Sequence, residues 1–253
     1  MYVEAVMSRN SIREKKLFFP AMLMFVAMTL SATAQVRMPP GRPERTAFLQ
    51  YTSGEVSVAP SASNEWTAAR LNQPLKPSEN MWTATNSRSE VNLGDGFVRM
   101  NSESSLTFVA LSLSNVQVSV NQGEVSLTVL RLVPGEIYEI DTPNATLTVT
   151  KPGVFCVVVK PEEERTVVTT RKGSIVATGR GPAVTINSGQ QVAFLDGNSL
   201  QHSAQKAPPP DGFEDWASVR DKRLGAGRPP FGVVVGYGPG PYGALAVPGP
   251  PPY

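Results

Sequence analysis

The chain of 253 residues carries a formal net charge of +2, so it has room for one substantial domain with appendages and lacks the charge of a nucleic-acid footprint. Its Lys and Arg residues are scattered rather than clustered, and its single cysteine excludes an internal disulfide framework.

Residues 1–34 read as an export signal. Arg9, Arg13, Lys15 and Lys16 form a positive lead, and Leu17 to Leu30 is an apolar run shorter than the roughly 20 residues of a membrane span. Ala32-Thr33-Ala34 supplies the small residues that a signal peptidase requires, which places the cut between Ala34 and Gln35. An uncleaved anchor is the alternative, and Pro20 and the long lead fit it. No cysteine follows the apolar run, so a lipoprotein anchor is excluded. Residues 35–46 are a polar, Pro-rich lead.

Residues 47–195 are expected to form an all-β body. Val116–Val120, Val125–Val129 and Ala145–Val149 alternate apolar and small polar side chains, the period of a strand with one buried face. That alternation points Val116, Val118, Val120, Leu127, Val129, Leu147 and Val149 into the core. Asn121-Gln122-Gly123, Pro134-Gly135, Thr142-Pro143-Asn144 and Lys151-Pro152-Gly153 read as turns between strands. Cys156 lies in Val154–Val159, apolar on both faces and therefore central, and is expected to be a structural residue of the same core. Gly54-Glu55-Val56, Gly123-Glu124-Val125 and Gly173-Ser174-Ile175 echo one another at unequal spacing, compatible with an irregular β-solenoid or sandwich and not with a regular repeat.

Several local patterns have plain readings. Gly94-Asp95-Gly96 lacks the carboxylate ladder of a calcium site and reads as a two-strand turn. Pro161–Arg165 is acidic but placed as a solvated hairpin tip, and Asn144-Ala145-Thr146 reads as a turn. Trp66 and Trp82, with Tyr51 and Phe48, either plug one end of the body or stack on sugar rings. His202, the lone histidine, has no nucleophile or metal cluster around it in sequence, so no catalytic residue, cofactor site or metal site is assigned.

Residues 196–210 form a Pro-rich linker. Residues 211–224 have the spacing of a short helix behind an Asp211 cap, with Phe213 and Trp216 expected to dock on the β body. In residues 225–253, Gly and Pro make up about half, against an ordinary combined share of about 12%. This tail is expected to be disordered. Its Phe231, Tyr237, Tyr242 and Tyr253 suit docking on a partner or on peptidoglycan, or else stud a plain spacer.

The order of pieces in the body resembles a FecR-type domain. Glu90–Phe108 looks like its opening pair of strands around a Gly-Asp-Gly turn, and Gln122–Leu127 like its Gly-Glu strand. Tyr138–Thr142, Lys172–Val176 and Asn187–Val192 resemble the elements that follow. The opening Gly54–Val58, Asn64-Glu65-Trp66 and Met81-Trp82, and the ending Pro208–Ala217 with Arg220-Asp221, resemble secreted bacterial proteins of that kind whose role is unknown. Regulator members place a cytoplasmic helical segment before a membrane helix to hold a sigma factor. Here about sixteen residues precede the apolar run, too few to fold, so that function is not expected to carry over. The resemblance implies the β module alone. The export signal and the lack of a nucleophile–base pair, metal cluster or phosphate loop in the sequence make an exported, non-catalytic envelope scaffold or sensor-like protein-binding module, periplasmic or extracellular, the leading reading. A polysaccharide- or peptidoglycan-binding module using Trp66 and Trp82, and an inner-membrane-anchored signalling protein, are the alternatives. The expected partner is an envelope protein or a glycan, with no nucleic acid and no stable membrane insertion after cleavage.

Overall fold

The computed structural model describes residues 45–60, 63, 65–195 and 201–225. The signal and its Ala34–Gln35 cut, most of the polar lead, and the tail with Tyr237 and Tyr242 lie outside them.

The strands follow one another as β1 (Ala47–Ser53), β2 (Val56–Pro60), β3 (Thr67–Ala68), β4 (Pro74–Leu75), β5 (Glu79–Thr83), β6 (Arg88–Asn92), β7 (Gly96–Met100) and β8 (Ser104–Leu111). Then come β9 (Asn115–Val129), β10 (Ile137–Asp141), β11 (Thr146–Lys160), β12 (Arg165–Gly179), β13 (Gly181–Asn187), β14 (Gln190–Leu195) and β15 (Gln201–Lys206), and last the helix α1 (Gly212–Gly225). Among the described residues all fifteen strands belong to one open mixed sheet, with β9 and β10 parallel.

Three long strands organise it. The first part of β9 pairs with β8 and β10, and its second part with β7 and β11. Likewise β11 leaves β10 for β9, and β12 leaves β14 for β13. The strands therefore fall into two rows that share β9, β11 and β12. The first row runs β15-β14-β12-β11-β9-β7-β6-β1-β4, and the second runs β13-β12-β11-β10-β9-β8-β5-β2-β3. One buried apolar cluster draws side chains from both rows, among them all seven positions singled out by alternation.

Two of the expected turns are corners inside continuous strands. At Asn121-Gln122-Gly123 strand β9 bends without ending, because Gly123 takes φ +85 and a Cβ there would lie 2.5 Å from the Ser104 backbone. At Lys151-Pro152-Gly153 strand β11 shifts register against β12 and continues. Gly54 and Gly173 also take positive φ, so the sequence echo marks places where the chain crosses from one row to the other. Pro134-Gly135 and Thr142-Pro143-Asn144 do lie between strands, and Pro161–Glu163 forms a single 3-10 turn at the tip of the β11–β12 hairpin. Within the stretch read as linker, β15 pairs with β14 and extends the first row.

Cys156 requires a correction. It is buried, but Phe155 and Val157 turn into the main core while Cys156 faces the opposite side of the sheet, where its Sγ donates to Glu124 Oε1 at 3.4 Å. Burial pushes the thiol well above its ordinary pKa, and the neighbouring Glu124 carboxylate adds to this. Native Cys156 should therefore react with a thiol reagent far more slowly than in urea. Cys156→Asp should cost about 3 kcal/mol or more in urea unfolding, because a second carboxyl would be buried against Glu124. Fast native labelling would show that Cys156 is accessible.

Candidate functional site

The outward side of the first row is the most elaborate surface of the described residues. Pairing register sets Tyr51, Glu90, Arg99, Ser126, Cys156 and Thr169 side by side across β1, β6, β7, β9, β11 and β12. On an open sheet such polar side chains would face water. Here α1 lies over them.

The helix begins at a reciprocal cap. Asp211 Oδ1 accepts from the backbone N–H of Phe213 and Glu214 at 2.9 and 2.8 Å, and Glu214 Oε2 accepts from the N–H of Asp211 at 3.2 Å. Glu214 also takes Arg171 of β12 in a two-pronged pair, at 2.8 Å from Nε and 2.5 Å from Nη2, while Arg171 Nη1 donates to Pro208 O. Phe213, Trp216, Ala217, Arg220 and Asp221 then share the face turned to the sheet, at the spacing of one helix side. Phe213 and Ala217 are buried, and Trp216 packs against Phe213 and Tyr51.

Beneath the helix lies a network of two cations and two anions. Arg99 donates from Nε to Glu90 Oε2 at 2.6 Å, from Nη2 to Asp221 Oδ1 at 2.7 Å and from Nη1 to Thr128 Oγ1 at 3.0 Å. Arg220 reaches from α1 and donates from Nε and Nη2 to the two oxygens of Glu90, each at 2.8 Å. Arg99 and Glu90 have no exposed side-chain surface. Burial alone would raise the Glu90 pKa, but the hydrogen bonds and charges of Arg220 and Arg99 outweigh it and hold the carboxyl below its ordinary value.

Beside the end of this network a cavity of 390 Å³ opens where the turns before β6 and after β7 meet α1. Tyr51, Ser53, Asn86, Arg88, Ser102 and Trp216 line it. Arg88 donates from Nε to Asn101 Oδ1 at 3.2 Å, and Asn101 in turn donates to Glu124 Oε2 at 2.6 Å. The Arg88 guanidinium lies 5.4 Å from the centre of the Trp216 ring and 5.7 Å from that of Phe213.

The residues singled out in the sequence are not gathered at this place. Trp66 is 48% exposed just before β3, and Trp82 is half-buried on β5 with Ser57 and Ser105 as strand partners. No ring contact joins the two among the described residues, whereas Tyr51 meets Trp216 with ring centres 5.5 Å apart. The residues that build the site and went unnoticed in the sequence are Arg88, Glu90 and Arg99. Two signals were present: Gly94-Asp95-Gly96 turns β6 onto β7 and sets Glu90 opposite Arg99, and Asp211 with Glu214 has the spacing of a capping box. Among the described residues no group of three or more His, Cys, Asp or Glu could hold a metal ion, and no helix is long and apolar enough to cross a membrane.

Residues 79–176 match the family model described as FecR protein, which gives the resemblance read from the sequence a defined extent. The match runs from the start of β5 into β12, so it takes in Arg88, Glu90 and Arg99 and leaves out Tyr51 and α1. Two crystal structures of a candidate anti-sigma factor from Parabacteroides distasonis ATCC 8503 are similar to the chain. One is 19% identical at a TM-score of 0.45 over 50% of this chain and 59% of that one. The other is 18% identical at a TM-score of 0.46 over 55% of this chain and 64% of that one. The chain thus spans about three fifths of the length of these structures. No curated protein sequence matches it.

Proposed function

We propose that this protein is an exported, non-catalytic binding module of the sensor type, in which the two β rows are a scaffold and the α1-covered face meets an envelope protein. The observation that carries this reading is the state of the charged groups at the centre of that face. Glu90, Arg99, Arg220 and Asp221 are paired with one another and fasten α1 to the sheet. Groups so engaged hold a surface in shape and are poorly placed for acid–base or nucleophilic chemistry, which requires a group free to exchange a proton or attack. The FecR match over this same stretch supports a regulatory rather than an enzymatic role. The sequence supports export.

Two measurements test it. Fractionation with intact-mass analysis should find a mature chain beginning at Gln35 outside the cytoplasm. Recovery of Met1–Ala34 in a membrane fraction would favour the anchored signalling reading. A photo-crosslinking residue at Val219, exposed on α1, should capture one discrete protein in cells, and the same chain with Glu90→Gln should capture less of it. Crosslinks spread over many proteins, or unaffected by Glu90→Gln, would remove α1 from the recognition surface.

A further inference from the structure

We propose that the cavity beside α1 binds one acidic sugar unit, a pyranose carrying a single carboxylate, with Arg88 as the group that holds the charge. The proposal rests on the binding-module reading for the location of the protein, and it adds a ligand which that reading does not name.

Charge accounting points to an anion. The two arginines and two carboxylates under α1 cancel, and each is within hydrogen-bond distance of an opposite charge. Arg88 is different: among the described residues no carboxylate lies within ion-pair distance of it, and its one hydrogen-bond acceptor is the amide oxygen of Asn101. Its Nη1 and Nη2 thus remain available beside a cavity already backed by aromatic rings. A guanidinium presents paired donors that match a carboxylate in a two-pronged geometry. A doubly charged phosphate would call for a second uncompensated cation, and the cavity offers none. Glu124, reached only through Asn101, stands behind Arg88 and further limits the site to a single negative charge.

The remaining lining selects for hydroxyl groups. The hydroxyl of Ser53 and the side-chain amide of Asn86 make no hydrogen bond with other described residues, and Ser102 Oγ accepts from the Asn86 backbone N–H at 2.7 Å and donates to Ala84 O at 3.4 Å. Hydroxyls and amides both donate and accept, as sugar hydroxyls do. Tyr51 and Trp216, tilted at 49° to one another, form an apolar wall for the C–H edge of a ring. The volume of 390 Å³ lies near the lower end of the range of about 300–1,000 Å³ for small-ligand sites.

The test is a titration of the purified full-length protein, followed by calorimetry and by amide shifts, with glucuronate, N-acetylmuramate and glucose as probes. At least one acid sugar should saturate a single site, with glucose about tenfold weaker or worse. Which of the two binds tells an acidic polysaccharide from peptidoglycan as the source. Arg88→Gln should weaken the acid sugar about tenfold while leaving glucose unchanged. Because Arg88 also rests on Trp216, a second variant, Ser53→Phe, fills the cavity from an exposed strand end without touching the network under α1 and should abolish binding. The proposal is overturned if acid and neutral sugars bind alike, if either variant binds as the parent does, or if neither acid saturates at about 10 mM, where a millimolar site would be nearly full. Such a failure alongside intact export and crosslinking would remove the ligand and leave the binding-module reading standing.

Discussion

Glu90→Gln lowers the stability of the folded protein by about 3–5 kcal/mol, a loss expected when one partner of a buried ion pair is removed and the other stays behind. Glu90 is the hub of the network: Arg99 and Arg220 both donate to it, and neither it nor Arg99 has contact with solvent. The amide is neutral, and with its oxygen in the shared Oε2 place its NH2 would face the Arg220 Nη2 donor, so Arg99 is left with Asp221 as its one anionic partner. The effect carries a pH signature. A carboxyl whose folded pKa is depressed stabilises fully above its unfolded value, near 4.5, and loses that contribution as pH falls through the lower folded value. The parent protein should therefore lose stability on acidification through that window, and Glu90→Gln should show a flatter profile there. Urea midpoints measured at neutral pH and at successively lower pH check both statements. Replacing the hub and its buried partner together, as Glu90→Leu with Arg99→Met, should cost less than the sum of the single changes, since the fully buried guanidinium and carboxylate leave together and the remaining Arg220 and Asp221 are each partly exposed.

The same network shows where the sequence is readable. Alternation located Val116, Val118, Val120, Leu127, Val129, Leu147 and Val149 because a period of two is a local property of a strand. The cap at Asp211 and the spacing of Phe213 and Trp216 are equally local. Glu90 is different. In Arg88–Asn92 it occupies a place that alternation assigns to the wet side, and what keeps it dry is a helix residue 130 positions later. The corners escaped for another reason. A glycine at positive φ serves a hairpin and a bent strand equally well, so Asn121-Gln122-Gly123 looks like a turn until its partners are known. Cys156 escaped for a third reason. With both sides of Val154–Val159 apolar, nothing local says which neighbour faces the main core and which faces Glu124.

The corners should also be the least forgiving positions in the backbone. Three glycines separate the two reasons why. Gly135 takes φ +87 in the loop before β10, and an added methyl group would find nothing within 4 Å, so Gly135→Ala carries only the left-handed penalty of about 1–2 kcal/mol. Gly153 has ordinary φ, but a Cβ would stand 2.0 Å from Lys172 O, which isolates the steric conflict. Gly173 has both: φ is +82, and the added carbon would lie 2.4 Å from Pro152 O and 2.6 Å from Lys151 O. These obstacles are backbone atoms of the facing corner, which cannot swing aside as a side-chain tip can. Gly173→Ala should therefore cost about 3 kcal/mol or more, well beyond Gly135→Ala, with Gly153→Ala also above the loop variant. Urea unfolding of the three variants gives the order directly. Equal losses at Gly173 and Gly135 would mean that the β11 and β12 corners yield freely, and that the two rows are not held together where their shared strands bend.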